Sequence, residues 1–416
     1  SIIINLGFLG VFKYYNFFID NFNVVFQALN WNYSLDLLTI ILPIGLSFHT
    51  FQAMSYTIEV YRGNQKAEKH FGIYSLYVMY YPQLVAGPIE RPQNLLNQFH
   101  AKHKLDPYLF SNGLKQMLIG FFKKMVIADN LAPYVNQVYD NPDGYEPITI
   151  FVATVFFAFQ IYCDFSGYSD IAIGASRIMG IELMQNFKAP YRATSISDFW
   201  SRWHMSLSTW FKDYLYIPLG GNRVTFVRLC FNLFLVFMIS GFWHGANWTF
   251  IIWGALHGLY TVTEIIIRKY GSKNDINNPK VDFVVIGLRR IIVFYLVCFA
   301  WIFFRAESVS KAMYIAKEYL LAIPSYVYHL TQKGYLWLEP LIFKKDIRLN
   351  LMDFLLLGCA LGILFFINKI EYKTKFVNYL DSKPLFFKWS FYQSLLLIIF
   401  IFASFHSKQE FIYFQF

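Results

Sequence analysis

His244 stands inside Leu229–Thr263, a run of 35 residues with no Asp, Glu, Lys or Arg, in the motif GFWHGANW at 241–248. A polar side chain in so apolar a stretch is costly unless it faces a protein interior or a watery cavity, so it is a candidate for function. The ordinary pKa of imidazole suits proton transfer near neutral pH, and the chemistry implied is general-base catalysis. The plainer alternative is a histidine that only hydrogen-bonds a neighbouring helix. Gly241 and Gly245 beside it would let another backbone or a ligand come close. His204 belongs to an amphipathic, aromatic-rich stretch, where a solvated or packing role is common. His257, in WGALHG, follows thirteen residues after His244. On a continuous helix the two would point in nearly opposite directions, so His257 reads as packing or as lining a second wall.

The segment DFSGYSD, Asp164–Asp170, sets two carboxylates and three hydroxyls between apolar stretches. Its carboxylates are six residues apart and do not share a helix face, which disfavours paired-carboxylate catalysis. A hydrogen-bonded break lining a cavity is expected instead, making Asp164, Ser166 and Tyr168 substrate-binding candidates. Cys163, Cys230, Cys298 and Cys359 are far apart in apolar surroundings, with no metal-ligand spacing, so neither a disulfide framework nor a metal site is expected. There is no phosphate-binding loop, no GxSxG, no HExxH and no dinucleotide fingerprint.

The elements that must hold these groups are membrane helices. Of the 416 residues, 56% are hydrophobic and 15% charged, against about 25% charged in soluble domains. Leu37–Ile58, Phe71–Ile89, Pro147–Cys163 and Trp389–Ser407 are further uncharged runs, and about 20 apolar residues span a bilayer. Crossings are expected near 1–19, 35–58, 70–88, 147–163, 165–183, 224–243, 246–267, 283–304, 350–368 and 388–406. Amphipathic pieces fall near 108–127, 198–215 and 309–323. At the second of these, Ser195 and Asp198 form a capping box, and Trp203, Leu207, Trp210 and Tyr214 share a helical face before Pro218 and Gly220-Gly221 end it. Breaks are also expected at PIGLSFH (43–49) and PQLVAGPIER (82–91).

The net charge of +10 resides mostly in loops. It suits topology and anionic lipid headgroups better than nucleic acid. Arg268–Lys280 and Lys369–Lys388 are both basic and two crossings apart, which places them together on the cytoplasmic side and Arg305–Leu349 opposite. The chain opens on SIIINLGFLGVF, without Met or a basic leader, and reads as starting partway through a longer hydrophobic protein. No internal repeat or long linker divides it, so a single domain over 1–416 is expected.

LPIGLSFHTFQAMSYTIEVYRG, YPQLVAGPIERP, FFKKMVIAD, YCDFSGYSDIAIG, NFKAPYRATSISDFWSRWHMSLSTWFKDYLYIPLGGNR and GFWHGANWTFIIWGALHG together resemble the membrane-bound O-acyltransferase family. Within it the chain is similar to the bacterial polysaccharide O-acetylation branch. The likeness is dense from about Asn5 to Leu259, with a catalytic core near 35–260, and the family's first helices are missing from it. What the resemblance implies is an all-α polytopic fold, a ring of transmembrane and re-entrant helices around a central tunnel. His244 matches the family's essential histidine and His204 its second conserved one. The activity implied is acyl transfer from a cytoplasmic thioester, acetyl-CoA, with no bound cofactor. The acyl group passes toward the outer face of the bacterial inner membrane, to a partner of SGNH-hydrolase type that modifies a cell-envelope polysaccharide such as alginate or peptidoglycan.

On that reading His244 takes the proton of an acceptor hydroxyl. Donors near Trp243, Asn247 or His204 hold the oxyanion, or His204 orients His244. Arg192, Arg202, Arg223 and Lys212 are candidates for the CoA phosphates, though interfacial snorkelling also explains them. Tyr326, Tyr328, Tyr335 and Trp337 are candidates for the partner's docking surface. Transfer of D-alanine or of a lipid or protein acyl group, and a transporter with a histidine proton relay, are the competing readings.

Overall fold

The computed structural model describes residues 1–40, 43, 45–271, 279–333, 351–403 and 411–412. The described elements are helical throughout. The chain opens with α1 (Ile2–Ala28), which contains a π-helical turn at Gly10–Tyr14. The shorter α2 (Leu46–Tyr61), α3 (Phe71–Val78) and α4 (Pro92–Gln98) follow. Next, α5 (Pro107–Phe121) runs through a π-helical stretch, Phe122–Ala128, into α6 (Asp129–Asp140). The 32-residue α7 (Pro147–Ile178) is the longest, followed by α8 (Ile196–Trp200) and α9 (Met205–Phe211). Then come α10 (Phe226–His244), α11 (Trp248–Tyr270), α12 (Pro279–Arg305) and α13 (Val309–Lys333). The chain ends with α14 (Leu351–Glu371), α15 (Phe376–Asp381) and α16 (Leu385–Phe402).

Seven of the described helices are long and apolar enough to cross a membrane: α1, α7, α10, α11, α14, α16 and the Phe283–Arg305 part of α12. The ten expected crossings shrink to seven for identifiable reasons. The runs near 35–58 and 70–88 yield only 16 and 8 helical residues, because Pro and Gly at 43–45 and the YYPQ turn at 80–83 interrupt them. The segments 147–163 and 165–183 fuse into α7.

The break expected at Asp164–Asp170 does not occur, because both carboxylates are neutralised within the packed helix. Lys124 Nζ lies 2.6 Å from Asp164 and 2.8 Å from Asp129, while Lys123 Nζ lies 2.7 Å from Asp170. The two carboxylates sit on different faces of α7, and adjacent lysines after α5 reach one each. A seam of glycines brings α5 close enough. Gly113 and Gly120 on α5 meet Gly174 and Gly167 on α7. A methyl at Gly113 would stand 2.5 Å from Gly174 O, and one at Gly120 2.6 Å from Gly167 O. Spaced by seven, such residues return to one face every two turns, and small residues let membrane helices approach closely.

The helical hairpin α10–α11 closes in the same way. Gly241 and Gly254 have no room for a Cβ, being packed against the backbones of Phe250 and Phe237. The close approach expected of Gly241 is thus an approach of backbone, and at Gly245 the Phe250 ring fills the space. A large aromatic core centred on Trp203, Trp253, Trp301, Phe157 and Phe199 joins α7, α8, α11 and α12.

Candidate functional site

His244 is the last residue of α10, and the chain turns through Gly245–Asn247 before α11 begins. Its side chain is buried among rings: Trp243 at 5.0 Å, Trp253 at 5.1 Å and Phe304 at 5.3 Å between centroids. It does not face lipid. The turn also overturns the argument that separated His257 from it. The two histidines are on different helices, both 5.1 Å from the Trp253 ring, so His257 belongs to the same cluster. Trp200 Nε1–H donates to His257 Nδ1 at 3.2 Å.

His204 arrives by a different route. The amphipathic helix expected over 198–215 is broken at Ser201–His204, between α8 and α9. Ser195 caps α8 as expected, its Oγ accepting from Asp198 N–H at 3.1 Å, while Asp198 Oδ2 accepts from Thr194 N–H at 3.1 Å. His204 then adopts φ +43°, a left-handed conformation that costs a non-glycine residue about 1–2 kcal/mol. The turn drives the imidazole inward, where it is fully buried against the edge of Phe165 at 4.6 Å. Trp203, Leu207 and Trp210 are still buried, so the apolar face survives the break.

The His204 and His244 rings lie 6.5 Å apart at 64°. Ring nitrogens lie about 1 Å from their centroid, which keeps the two imidazoles beyond the ~3.2 Å limit of a direct hydrogen bond. That separation leaves room for one oxygen atom between ring nitrogens turned toward each other. Two indole N–H groups, Trp243 Nε1 and Trp253 Nε1, are buried in the same surroundings with no partner among the described residues. They are the available donors for a developing oxyanion. Asn247 is already engaged at both ends of its amide. Its Oδ1 caps α11 by accepting from Thr249 N–H at 3.0 Å, and its Nδ2 donates to Glu307 O at 3.2 Å.

Lys13, which hydropathy alone does not single out, holds the end of α10. From the π-helical turn of α1 its Nζ donates to Trp243 O at 2.9 Å and His244 O at 2.8 Å, with Ser47 Oγ at 3.4 Å. These are terminal carbonyls of α10 that have no intrahelical donor. A lone Lys in the apolar segment 1–19 was the signal available, since an ionisable group at membrane depth marks a functional position by default. Beyond this clip lies a cavity of about 570 Å³ lined by Lys13, Asn136, Asp140, Asn247, Arg305 and Glu307. It meets the turn after His244 at Gly245 and Ala246.

The remaining candidates divide. Asp164 is engaged by Lys124 and by Ile412 N–H, at 2.8 Å from its Oδ2. Ser166 is buried on α7 next to Phe165, and the Tyr168 ring packs 5.3 Å from Phe411. Arg192 and Arg202 come together over the Tyr372 ring, at 5.5 Å and 4.4 Å, with Arg290 of α12 near enough to repel Arg192. Burial, with the like charges of Arg290 and Arg202, lowers the Arg192 pKa below the usual guanidinium range. Its Nε is buried without a partner among the described residues. Lys212 opens the π-helical stretch Lys212–Tyr216 that follows α9, and Arg223 lies in the turn before α10. Tyr326 and Tyr328 lie on α13, Tyr328 exposed, whereas Tyr335 and Trp337 fall outside the described residues.

Comparison with known proteins places the chain in a family. The family model for membrane-bound O-acyltransferases matches residues 70–304. The chain is 41% identical over 321 residues to a probable alginate O-acetylase of Azotobacter vinelandii, covering 76% of this chain and 61% of the relative. It is 39% identical over 345 residues to the peptidoglycan O-acetyltransferase of Helicobacter pylori, covering 76% and 63%. A teichoic acid D-alanyltransferase of Bacillus subtilis is 28% identical over 275 residues, covering 64% and 69%. The chain spans about three fifths of the length of the curated relatives it matches first. With seven apolar helices among the described residues and a matched region that contains both His204 and His244, the chain is a multi-pass membrane protein of the membrane-bound O-acyltransferase family.

Proposed function

We propose that this protein is an O-acetyltransferase of the bacterial inner membrane, which passes an acetyl group from cytoplasmic acetyl-CoA toward a cell-envelope polysaccharide. The observation that carries the reading is the pair of buried imidazoles, His204 and His244, 6.5 Å apart in a core lined by aromatic rings. His244 takes the proton of an acceptor hydroxyl, whose oxygen attacks the thioester carbonyl. The tetrahedral oxyanion is held by indole N–H donors. It collapses with cleavage of the C–S bond, and the proton on His244 passes to the leaving thiolate.

The arginines about Tyr372 suit the phosphates of the donor. The polar cavity beyond Lys13 suits the arriving hydroxyl, on the opposite side from the basic loops. A polysaccharide is too bulky to enter, so the acetyl group is handed to a serine-dependent partner of SGNH type docked at that mouth. The test is reconstitution in proteoliposomes with radiolabelled acetyl-CoA inside and partner plus glycan outside. Wild-type protein transfers label and His244→Ala does not. Label transfer at the full rate without a partner would overturn the relay.

The likeness to a D-alanyltransferase supports a second reading, in which an aminoacylated carrier protein is the donor. Turnover that requires the carrier and ignores acetyl-CoA would establish it.

A further inference from the structure

We infer that Asn186 is a positioning residue that fixes His204 as the Nδ1–H tautomer, so that His204 presents a lone pair at Nε2 and accepts a hydrogen bond beside His244. The inference rests on the acyl-transfer reading for its functional meaning, but its geometry stands alone. Asn186 is completely buried between α7 and α8. Its Oδ1 faces three groups: Ser206 N–H at 3.3 Å, Ser206 Oγ at 2.9 Å and His204 Nδ1 at 3.1 Å.

A backbone N–H can only donate, so the amide atom turned toward Ser206 is the oxygen. The reversed amide would press NH₂ against that N–H; as placed, Nδ2 points away and donates to Ser169 Oγ at 3.4 Å. An amide oxygen can only accept. His204 Nδ1 must therefore carry a proton, and in the neutral ring Nε2 then carries none. The backbone reinforces the arrangement, since Met205 N–H donates to Asn186 O at 2.9 Å across the left-handed turn. The Ser206 hydroxyl is pinned in turn by Ile89 N–H at 3.0 Å. His204 Nε2 is buried with no partner among the described residues.

His257 provides an internal contrast. An indole N–H also only donates, so the bond from Trp200 to His257 Nδ1 puts the proton of that ring on Nε2. One cluster thus holds two histidines in opposite tautomers, each imposed by a neighbour with a single possible role. The consequence is that neutral His204 cannot serve an oxyanion through Nε2. It accepts a hydrogen bond from the hydroxyl or water between the rings, and the oxyanion is left to Trp243 and Trp253.

The direct test needs no substrate. In ¹⁵N-histidine-labelled wild-type protein, with the His204 signals identified by their loss in His204→Gln, Nε2 should resonate as a pyridine-type nitrogen and Nδ1 as a pyrrole-type one. His257 should show the reverse. A pyrrole-type Nε2 at His204 would overturn the inference. In turnover assays Asn186→Leu, which cannot accept, should lower kcat by about 10- to 100-fold with the KM for the donor within twofold. Asn186→Asp keeps the acceptor and adds a charge that favours imidazolium, so the acid limb of its kcat profile should move up by about one pH unit or more. An unmoved acid limb in a folded, active Asn186→Asp protein would refute the positioning role. Absence of thioester turnover in the wild type would instead refute the acyl-transfer reading and leave the tautomer result intact.

Discussion

Replacing Lys13 by Met keeps a stem of similar length and removes the ammonium that holds the end of α10. The two short bonds are lost, to Trp243 O at 2.9 Å and His244 O at 2.8 Å, along with the longer one to Ser47 Oγ at 3.4 Å. Hydrogen bonds to a charged group contribute about 1.5–3 kcal/mol each, so the gross loss is about 3–6 kcal/mol. Part is recovered, because a largely buried ammonium no longer has to be desolvated, a cost of several kcal/mol in full burial. The favourable field of a cation at a helix C-terminus, about 0.3–1 kcal/mol, is lost as well. A net local destabilisation of about 1–3 kcal/mol is expected, confined to the last turn of α10, where His244 is the final helical residue.

That range corresponds to about a 5- to 150-fold fall in the equilibrium constant for the correctly placed end of α10, which is the upper limit of the fall in kcat. The KM for the donor should move little, since nothing that binds the donor at a distance has changed. The assay is thioester turnover in proteoliposomes, paired with hydrogen exchange of the amides of 241–246, which should quicken in Lys13→Met. Lys13→Arg keeps the charge but replaces a compact ammonium by a planar fork, and should fall between the two. A Lys13→Met protein with kcat within twofold of wild type and unchanged exchange at 241–246 would show that the clip does not position His244.

His244→Ala should abolish turnover in folded protein, and a tenth of wild-type activity would remove it as the base. His204→Ala should cost about 10²–10³-fold in kcat, the usual scale for one lost catalytic hydrogen bond, measured in the same assay. Arg192→Glu should raise the KM for acetyl-CoA more than it lowers kcat, as loss of contacts remote from the reacting carbon does; unchanged KM would move the donor site elsewhere. Burial pushes the Glu90 carboxyl up to about 7, with Met184 N–H and Asn94 Nδ2 as its partners. Its folded pKa exceeds the unfolded value of about 4.3, so the folded state binds more protons in between. Stability should therefore fall by on the order of 3 kcal/mol as pH rises from about 4.5 to 7.5. Thermal denaturation in detergent should show that decline in wild type and a flatter profile in Glu90→Gln.

What is legible in the sequence follows from how local each signal is. Uninterrupted apolar runs such as Leu229–Thr263 produce membrane helices directly, because backbone groups in lipid must pair within the segment. His244 is legible for the same reason, as the polar exception in such a run. The span near 35–58 is not, since hydropathy alone cannot tell a crossing from a buried segment broken by Pro43 and Gly45. Nor is the continuity of α7, because its carboxylates are matched by Lys123 and Lys124, about 40 residues earlier in the chain. The capping role of Asn247 is hidden because it depends on where α10 ends. The break before His204 is invisible because the turn follows from the bond between Asn186 and Met205, which no periodicity encodes.

These misses share a cause with the way the site works. A membrane core offers no water to satisfy a polar side chain, and several here are paired with a group from a distant part of the chain. Lys13 meets Trp243 and His244, Lys124 meets Asp164, Asn186 meets His204, and Trp200 meets His257. In water an exposed histidine would exchange tautomers and rotamers freely. Enclosed among aromatic rings and given one partner that can only accept, or only donate, it is held in one protonation geometry. The apolar surroundings that make these polar groups costly are what allow single hydrogen bonds to set their roles. For the same reason substitution of a partner, such as Asn186 or Lys13, should itself lower turnover, though by less than substitution of the histidine it holds.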